Sequence, residues 1–148
     1  MKPDTDFVLR MIATKLVTEV APTIGDAYVR SNLEVAAALL LVAAEDYDRA
    51  AHLRAEENRA IRELLRARGP GVDEPALRAR LLAAAETSDE SLRVRDLDRT
   101  NAALRTLLVE LHAHADRRTD AWGSETRAVV WRELAAGVER RAIGFYPL

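Results

Sequence analysis

The chain has 148 residues, a formal net charge of −2 and no cysteine. That length suits one domain with a real core, and the missing cysteines exclude disulfides, thiolate catalysis and cysteine-ligated zinc while fitting a reducing cytoplasm. A balanced charge carries no phosphate-binding excess, so no nucleic-acid partner is expected.

A first helix is expected from Thr5 to about Val20, capped by Asp4 or Thr5, with Leu9, Ile12, Leu16 and Val20 in one stripe. Arg10, Lys15 and Glu19 interrupt that segment, so it does not read as a signal peptide. Pro22 and Gly25 break the helix. A second helical region, Asp26 to Arg68, would be about 65 Å long at 1.5 Å per residue, against roughly 40 Å for a compact domain of this size. It is therefore expected to project, to pack in a dimer or to bend, and Ser31-Asn-Leu-Glu34 has the capping-box spacing that would mark a bend. Val35 to Ala44 is apolar on every side. It is too short to cross a bilayer, which takes about 20 residues, and it reads as a homodimer interface, with no membrane expected.

Gly69-Pro-Gly-Val-Asp73 ends the long region. A short helix, about Glu74 to Glu86, carries Pro75 in its first turn and Leu77, Leu81 and Leu82 on one face. Thr87-Ser-Asp-Glu90 has capping-box spacing for a fourth helix reaching about Arg118, with a heptad of Val94, Leu97, Asn101, Leu104, Leu108, Leu111 and Ala115. The last helix is expected from Asp120 or Ser124 to Arg141, with Val130, Leu134 and Val138 inward, Gly144 closing it and Pro147 preventing renewal. The expected fold class is all-α: a single domain, an elongated bundle of four to five helices with one very long second helix.

One pattern occurs twice. Asn58-Arg-Ala-Ile-Arg-Glu-Leu-Leu65 and Asn101-Ala-Ala-Leu-Arg-Thr-Leu-Leu108 both read Asn-x-x-apolar-Arg-x-Leu-Leu, with each asparagine on the apolar stripe. A polar residue in such a seam selects alignment at some cost in stability. The expectation is that the two helices run antiparallel with Asn58 and Asn101 level, which sets Leu65 against Val94, Ile61 against Leu97 and Ala51 against Leu108. The asparagine side chains should then bond directly or through one water. Arg54 lies on the same stripe and needs a carboxylate, an anion or an exit to solvent. Tyr47, Arg54, Asn58, Asn101, Arg105 and His112 thus form a candidate pocket for an anionic small molecule, the alternative to a purely structural polar seam.

Metal and nucleophilic chemistry find little footing. A di-iron bundle needs two Glu-x-x-His pairs, and the residues three before His52, His112 and His114 are Arg49, Val109 and Leu111. Asp48, His52 and Glu56 share a helical face, as do Glu110 with His114 and His112 with Asp116, and all read as surface pairs. The arginines between Arg62 and Arg99 are matched by eight acids, and Gly69-Pro-Gly71 lacks the lysine of a phosphate loop. No catalytic residue, metal or cofactor is expected. Trp122, Trp131, Phe145 and Tyr146 are a candidate partner-binding aromatic patch, with core packing as the plainer account.

The stretches Glu45-Asp-Tyr-Asp-Arg-Ala-Ala51, Glu57-Asn-Arg-Ala-Ile-Arg-Glu-Leu64 and Asn101-Ala-Ala-Leu-Arg-Thr-Leu-Leu-Val-Glu-Leu-His112 resemble an uncharacterised bacterial all-helical family associated with aminoglycoside-phosphotransferase-like kinases, as a neighbour or a fused module. The resemblance implies an accessory role beside a small-molecule kinase and supplies no catalytic residue. Together with the helical patterning, it leads to the expectation of a non-enzymatic helical interaction module, self-associating and cytoplasmic.

Overall fold

The structure, a computed structural model, describes residues 3–142. Among them there is no strand; five α-helices follow in order: α1 (Thr5–Lys15), α2 (Ala27–Arg68), α3 (Pro75–Ala85), α4 (Val94–Asp116) and α5 (Ala121–Arg140). The expected all-α class is the observed one. Gly144, Phe145, Tyr146 and Pro147 lie outside the described residues. Packing divides the chain into two compact units whose boundary falls inside α2: one holds the described residues up to Ala50, the other Ala51–Ala142.

In the first unit, α1 loosens into a π turn at Leu16–Val20 and a 3-10 turn at Ala21–Thr23, where Pro22 cannot donate to the preceding ladder. The capping box at Ser31 is not used. Asp26 starts α2 instead, its carboxylate accepting from the backbone N–H of Tyr28 at 2.8 Å and of Val29 at 3.1 Å. Helix α2 then runs without a break in its assignment past Ser31 to Arg68.

Burial in this unit is inverted relative to an ordinary core. Its buried residues are Ala13, Ala21, Ala37, Ala44 and Ala50, all of them alanine. None of its large described side chains is buried: Leu9 and Leu16 of the expected inner stripe are half-buried, and Ile12 and Val20 are exposed. The apolar run Val35 to Ala44 has two faces: Ala37 and Ala44 are buried, whereas Leu39 is 63% exposed.

The second unit is a four-helix arrangement with large aliphatic residues inside. Ile61, Leu64 and Leu65 of α2, Leu77 and Leu81 of α3, Leu104, Leu108 and Leu111 of α4 and Val130 of α5 form one buried cluster with Val72 and Ala85. Pro75 opens α3 at its first position, where the missing N–H costs nothing. The segment Thr87–Glu90 does not cap α4, which begins only at Val94. Thr87 instead closes α3, its hydroxyl donating to the Ala84 carbonyl at 2.7 Å. Asp120 caps α5, accepting from the Gly123 N–H at 2.9 Å. Val130 is buried, as its spacing implied, but Leu134 and Val138 face solvent.

Ion pairs give the helix directions. Arg66 of α2 meets Glu86 just after α3, and Arg80 of α3 pairs with Glu110 of α4, so each short step reverses the chain. Arg54 near the start of this part of α2 reaches Asp98 near the start of α4, while Arg118 after α4 donates to the carbonyl of Gly71 just past α2. The last part of α2 and α4 therefore run parallel. This corrects the antiparallel expectation: Val94, which that register set against Leu65, is largely solvent-facing, and Leu65 shares the core with Leu108 and Leu111. The physical reason is α3. Eleven residues span about 16 Å, enough to carry the chain back along α2, so two reversals separate the long helices rather than one.

Candidate functional site

The two asparagines meet as their repeat implied. Asn101 Nδ2 donates to Asn58 Oδ1 at 2.9 Å, and both residues are buried. The contact does not stop at the pair. Asn58 Nδ2 also donates to Asp89 Oδ1 at 3.0 Å and to the Leu97 carbonyl at 3.3 Å. Asp89 is held by Arg62 through a fork, at 2.8 Å and 3.1 Å, while Arg62 Nε donates to the Thr87 hydroxyl at 3.1 Å. On the other side Arg105 Nε donates to Glu57 at 2.7 Å, and Arg141 pairs with the second oxygen of the same carboxylate. The result is a ladder of amides, guanidinium groups and carboxylates tying α2, the loop before α4, α4 and the end of α5.

Each carboxylate shows the effect in its acidity. Burial pushes the Glu57 carboxyl upward, but the hydrogen bond from Arg105, the charges of Arg105 and Arg141 and the Asn101 amide outweigh it and hold it below 4.5. The Arg62 fork holds Asp89 below its usual 3.8 against burial, with help from Asn58. Because both folded values lie below the unfolded ones, the stabilisation is present above the ordinary carboxylate range and is lost as pH falls through the depressed values. Acid unfolding should therefore steepen as pH falls below the ordinary carboxylate range, and Asp89→Asn should flatten that limb when urea midpoints are followed against pH.

Of the six candidate pocket residues, the second unit brings Asn58 and Asn101 together and gives each arginine a carboxylate of its own. Arg54 binds Asp98 at 2.5 Å and Arg105 binds Glu57, so the carboxylate reading of the seam arginine holds. Tyr47 belongs to the first unit and is exposed. His112 stands apart from the ladder: its Nδ1 lies 3.5 Å from Asp116, as the i,i+4 spacing implied, and its ring meets Trp131 edge-on at 5.7 Å. It lines a small apolar pocket of about 130 Å³ with Leu108, Val109, Val130, Trp131 and Leu134.

Two other surface-pair expectations change. Glu110 pairs with Arg80 rather than His114, and His114 is buried with Nε2 3.0 Å from Asp73 Oδ1, out of line for a hydrogen bond. Glu56 pairs with Arg59 rather than His52. The arginine-rich end is mixed in charge, as the count of acids implied: Arg62, Arg66 and Arg68 pair with Asp89, Glu86 and Glu125. Trp122 packs internally, under the Arg118 guanidinium at 4.7 Å and edge-on to His114, while Trp131 is exposed.

Sequence reasoning missed Asp89, Glu57 and Asp98. A carboxylate was one of three partners open to the seam arginine, but nothing in the spacing says which acids α2, α4 and the loop before α4 deliver. Wider clefts flank this loop: one of about 580 Å³ includes Ser88, Glu90, Thr100, Leu104 and Leu107, and one of about 450 Å³ includes Arg59, Arg62 and Glu63. Among the described residues no group of three or more His, Asp or Glu side chains could hold a metal.

No family model, curated protein or solved structure matches the chain.

Proposed function

We propose that this protein is a non-enzymatic helical interaction module that self-associates through its first unit. The inverted burial there carries the reading. Among the described residues, ten of sixteen exposed large hydrophobics lie between Phe7 and Tyr47, while every buried position in that stretch is alanine. A unit that hides its smallest side chains and presents its largest is half of an interface. About half exposed on average, those ten carry on the order of 600 Å² of apolar surface, against roughly 800 Å² per partner in a stable complex.

The sequence resemblance supports a second partner, an aminoglycoside-phosphotransferase-like kinase that the module would assist, and the absence of cysteine suits a cytoplasmic setting. The anionic-ligand alternative is less well supported, because Arg54 and Arg105 already face Asp98 and Glu57 and an incoming anion would have to displace a carboxylate. A helix within Ala27–Gly71 is also long and apolar enough to cross a membrane by length and composition, with a mean hydropathy of 1.4 over its most apolar window. Residues 1–50 carry eight acids against five bases, a balance that disfavours an anionic lipid surface.

Light scattering at micromolar concentration should give twice the chain mass. Leu39→Glu should shift the dissociation constant upward by at least 100-fold, since burying one carboxylate in an apolar seam costs several kcal/mol. A wild-type mass equal to one chain would refute self-association.

A further inference from the structure

Helix α2 carries a second apolar seam. Tyr28, Asn32, Val35, Leu39, Val42 and Asp46 are spaced 4, 3, 4, 3 and 4 residues apart, and all six are exposed. At 100° per residue they lie opposite the face of Ala37 and Ala44, which is buried, and of Leu33, Leu40 and Leu41, which is half-buried. A 3.5-residue repeat of this kind is the pattern by which one helix packs along another. Resting on the self-association proposed above, we infer that a second copy of this chain docks on that seam antiparallel, in the register that sets Tyr28 against Asp46, Asn32 against Val42 and Val35 against Leu39.

Charge chooses the direction. Asp46 closes one end of the seam, while Glu45 beside it is paired with Arg49 at 2.7 Å and Asp48 lies on the opposite face. A parallel pairing sets Asp46 of one copy on Asp46 of the other, where like charges at close range repel. An antiparallel pairing carries Asp46 to the partner helix's first turn and gives the Tyr28 hydroxyl there a carboxylate to donate to. Asn32 alone would favour parallel pairing, by meeting its own copy. One neutral amide pair is set against a carboxylate repulsion and a lost charge-assisted hydrogen bond, and the charges dominate.

Size agrees with the same register. Its two-fold axis passes beside residue 37 and places Ala36 against Ala36 and Ala38 against Ala38 of the second copy, so the backbones can approach closely at the centre. The interface is isologous and closes after two chains, which limits the assembly to a dimer.

The chain has no cysteine, so introduced thiols report only on themselves. Val35→Cys and Leu39→Cys chains carrying different tags are mixed, equilibrated and oxidised mildly, then separated without reductant. The mixed disulfide should exceed either homodisulfide at least fivefold. Both positions are exposed, and circular dichroism with light scattering confirms that each variant keeps its helices and its dimer mass. Dominant homodisulfides, from Val35→Cys alone and from Leu39→Cys alone, would overturn the antiparallel register and leave self-association standing. A dimer that forms no disulfide at either position would show that another surface is used. A single-chain mass, or a shift of the protein onto phosphatidylcholine vesicles in place of dimerisation, would overturn both this inference and the reading beneath it.

Discussion

Replacing Asp89 by alanine is expected to destabilise the second unit by about 3–5 kcal/mol, the usual cost of removing one partner from a buried ion pair. Arg62 keeps only 8% of its side chain exposed and Asp89 only 14%, so the guanidinium left behind meets water only along the cleft it lines and is poorly compensated. Asn58 loses an acceptor in the same step. Chemical denaturation measures the loss directly. The pair replaced together, Arg62→Met with Asp89→Leu, should recover most of it, because no buried charge is then uncompensated. The exposed Arg54–Asp98 pair is the internal control: with Asp98 54% exposed, Asp98→Ala should cost less than about 1 kcal/mol. A loss at Asp89 no larger than at Asp98 would mean the loop before α4 opens readily to water.

A second large effect is expected at Gly71. The backbone there is not left-handed, so the glycine is not explained by its φ. It is explained by Trp122, since a Cβ on residue 71 would lie 1.9 Å from the indole Nε1 and 2.5 Å from Cδ1. The ring is rigid and is held by the Arg118 guanidinium and the His114 edge, so it cannot move without breaking both contacts. Gly71→Ala should therefore cost about 1–3 kcal/mol by overpacking and should move the tryptophan emission to the red. Trp122→Ala relieves the clash, and a double-mutant cycle should show strong non-additivity. Additive effects, or unchanged emission, would show that the turn accommodates the methyl by shifting away from the indole.

The asparagine repeat shows how far a local pattern reaches. Placing an amide on each of two apolar stripes was enough to bring Asn58 and Asn101 to one level, because a buried amide needs a partner and each was the other's best one. A single contact fixes a level and says nothing about direction. The repeat carries none, since it reads in the same order in a parallel or an antiparallel pair; the direction is set by α3, whose eleven residues carry the chain back along α2. Treating α3 as a connector, rather than as a helix long enough to retrace α2, hid that reading.

The partners of the candidate pocket's arginines were hidden for a related reason. Arg54 and Arg105 each face an acid, and the acids came from Asp98 and Glu57 across a helix interface. Asp89 reached Arg62 and Asn58 from a segment whose spacing looked like a helix cap. Capping-box spacing identifies side chains able to bond a nearby backbone; here Thr87 bonds the Ala84 carbonyl behind it and accepts from Arg62, and Asp89, between the two box positions, takes the charge-assisted fork. At Ser31 the box went unused because Asp26 had already started the helix one turn earlier.

By itself the sequence determined the helical class, the placing of most helices, the breaks at Pro22 and Gly69–Gly71 and the meeting of the two asparagines, all of which rest on interactions within a few turns of chain or on one residue type out of place. The tertiary structure alone decided that α2 and α4 run parallel, which acids neutralise the seam arginines, and that the alanines of the first unit face inward while its large described side chains stay half-buried or exposed. Those outcomes depend on where distant segments arrive relative to one another, and hydrophobic periodicity marks which residues are apolar without saying which of two apolar faces its own chain will cover.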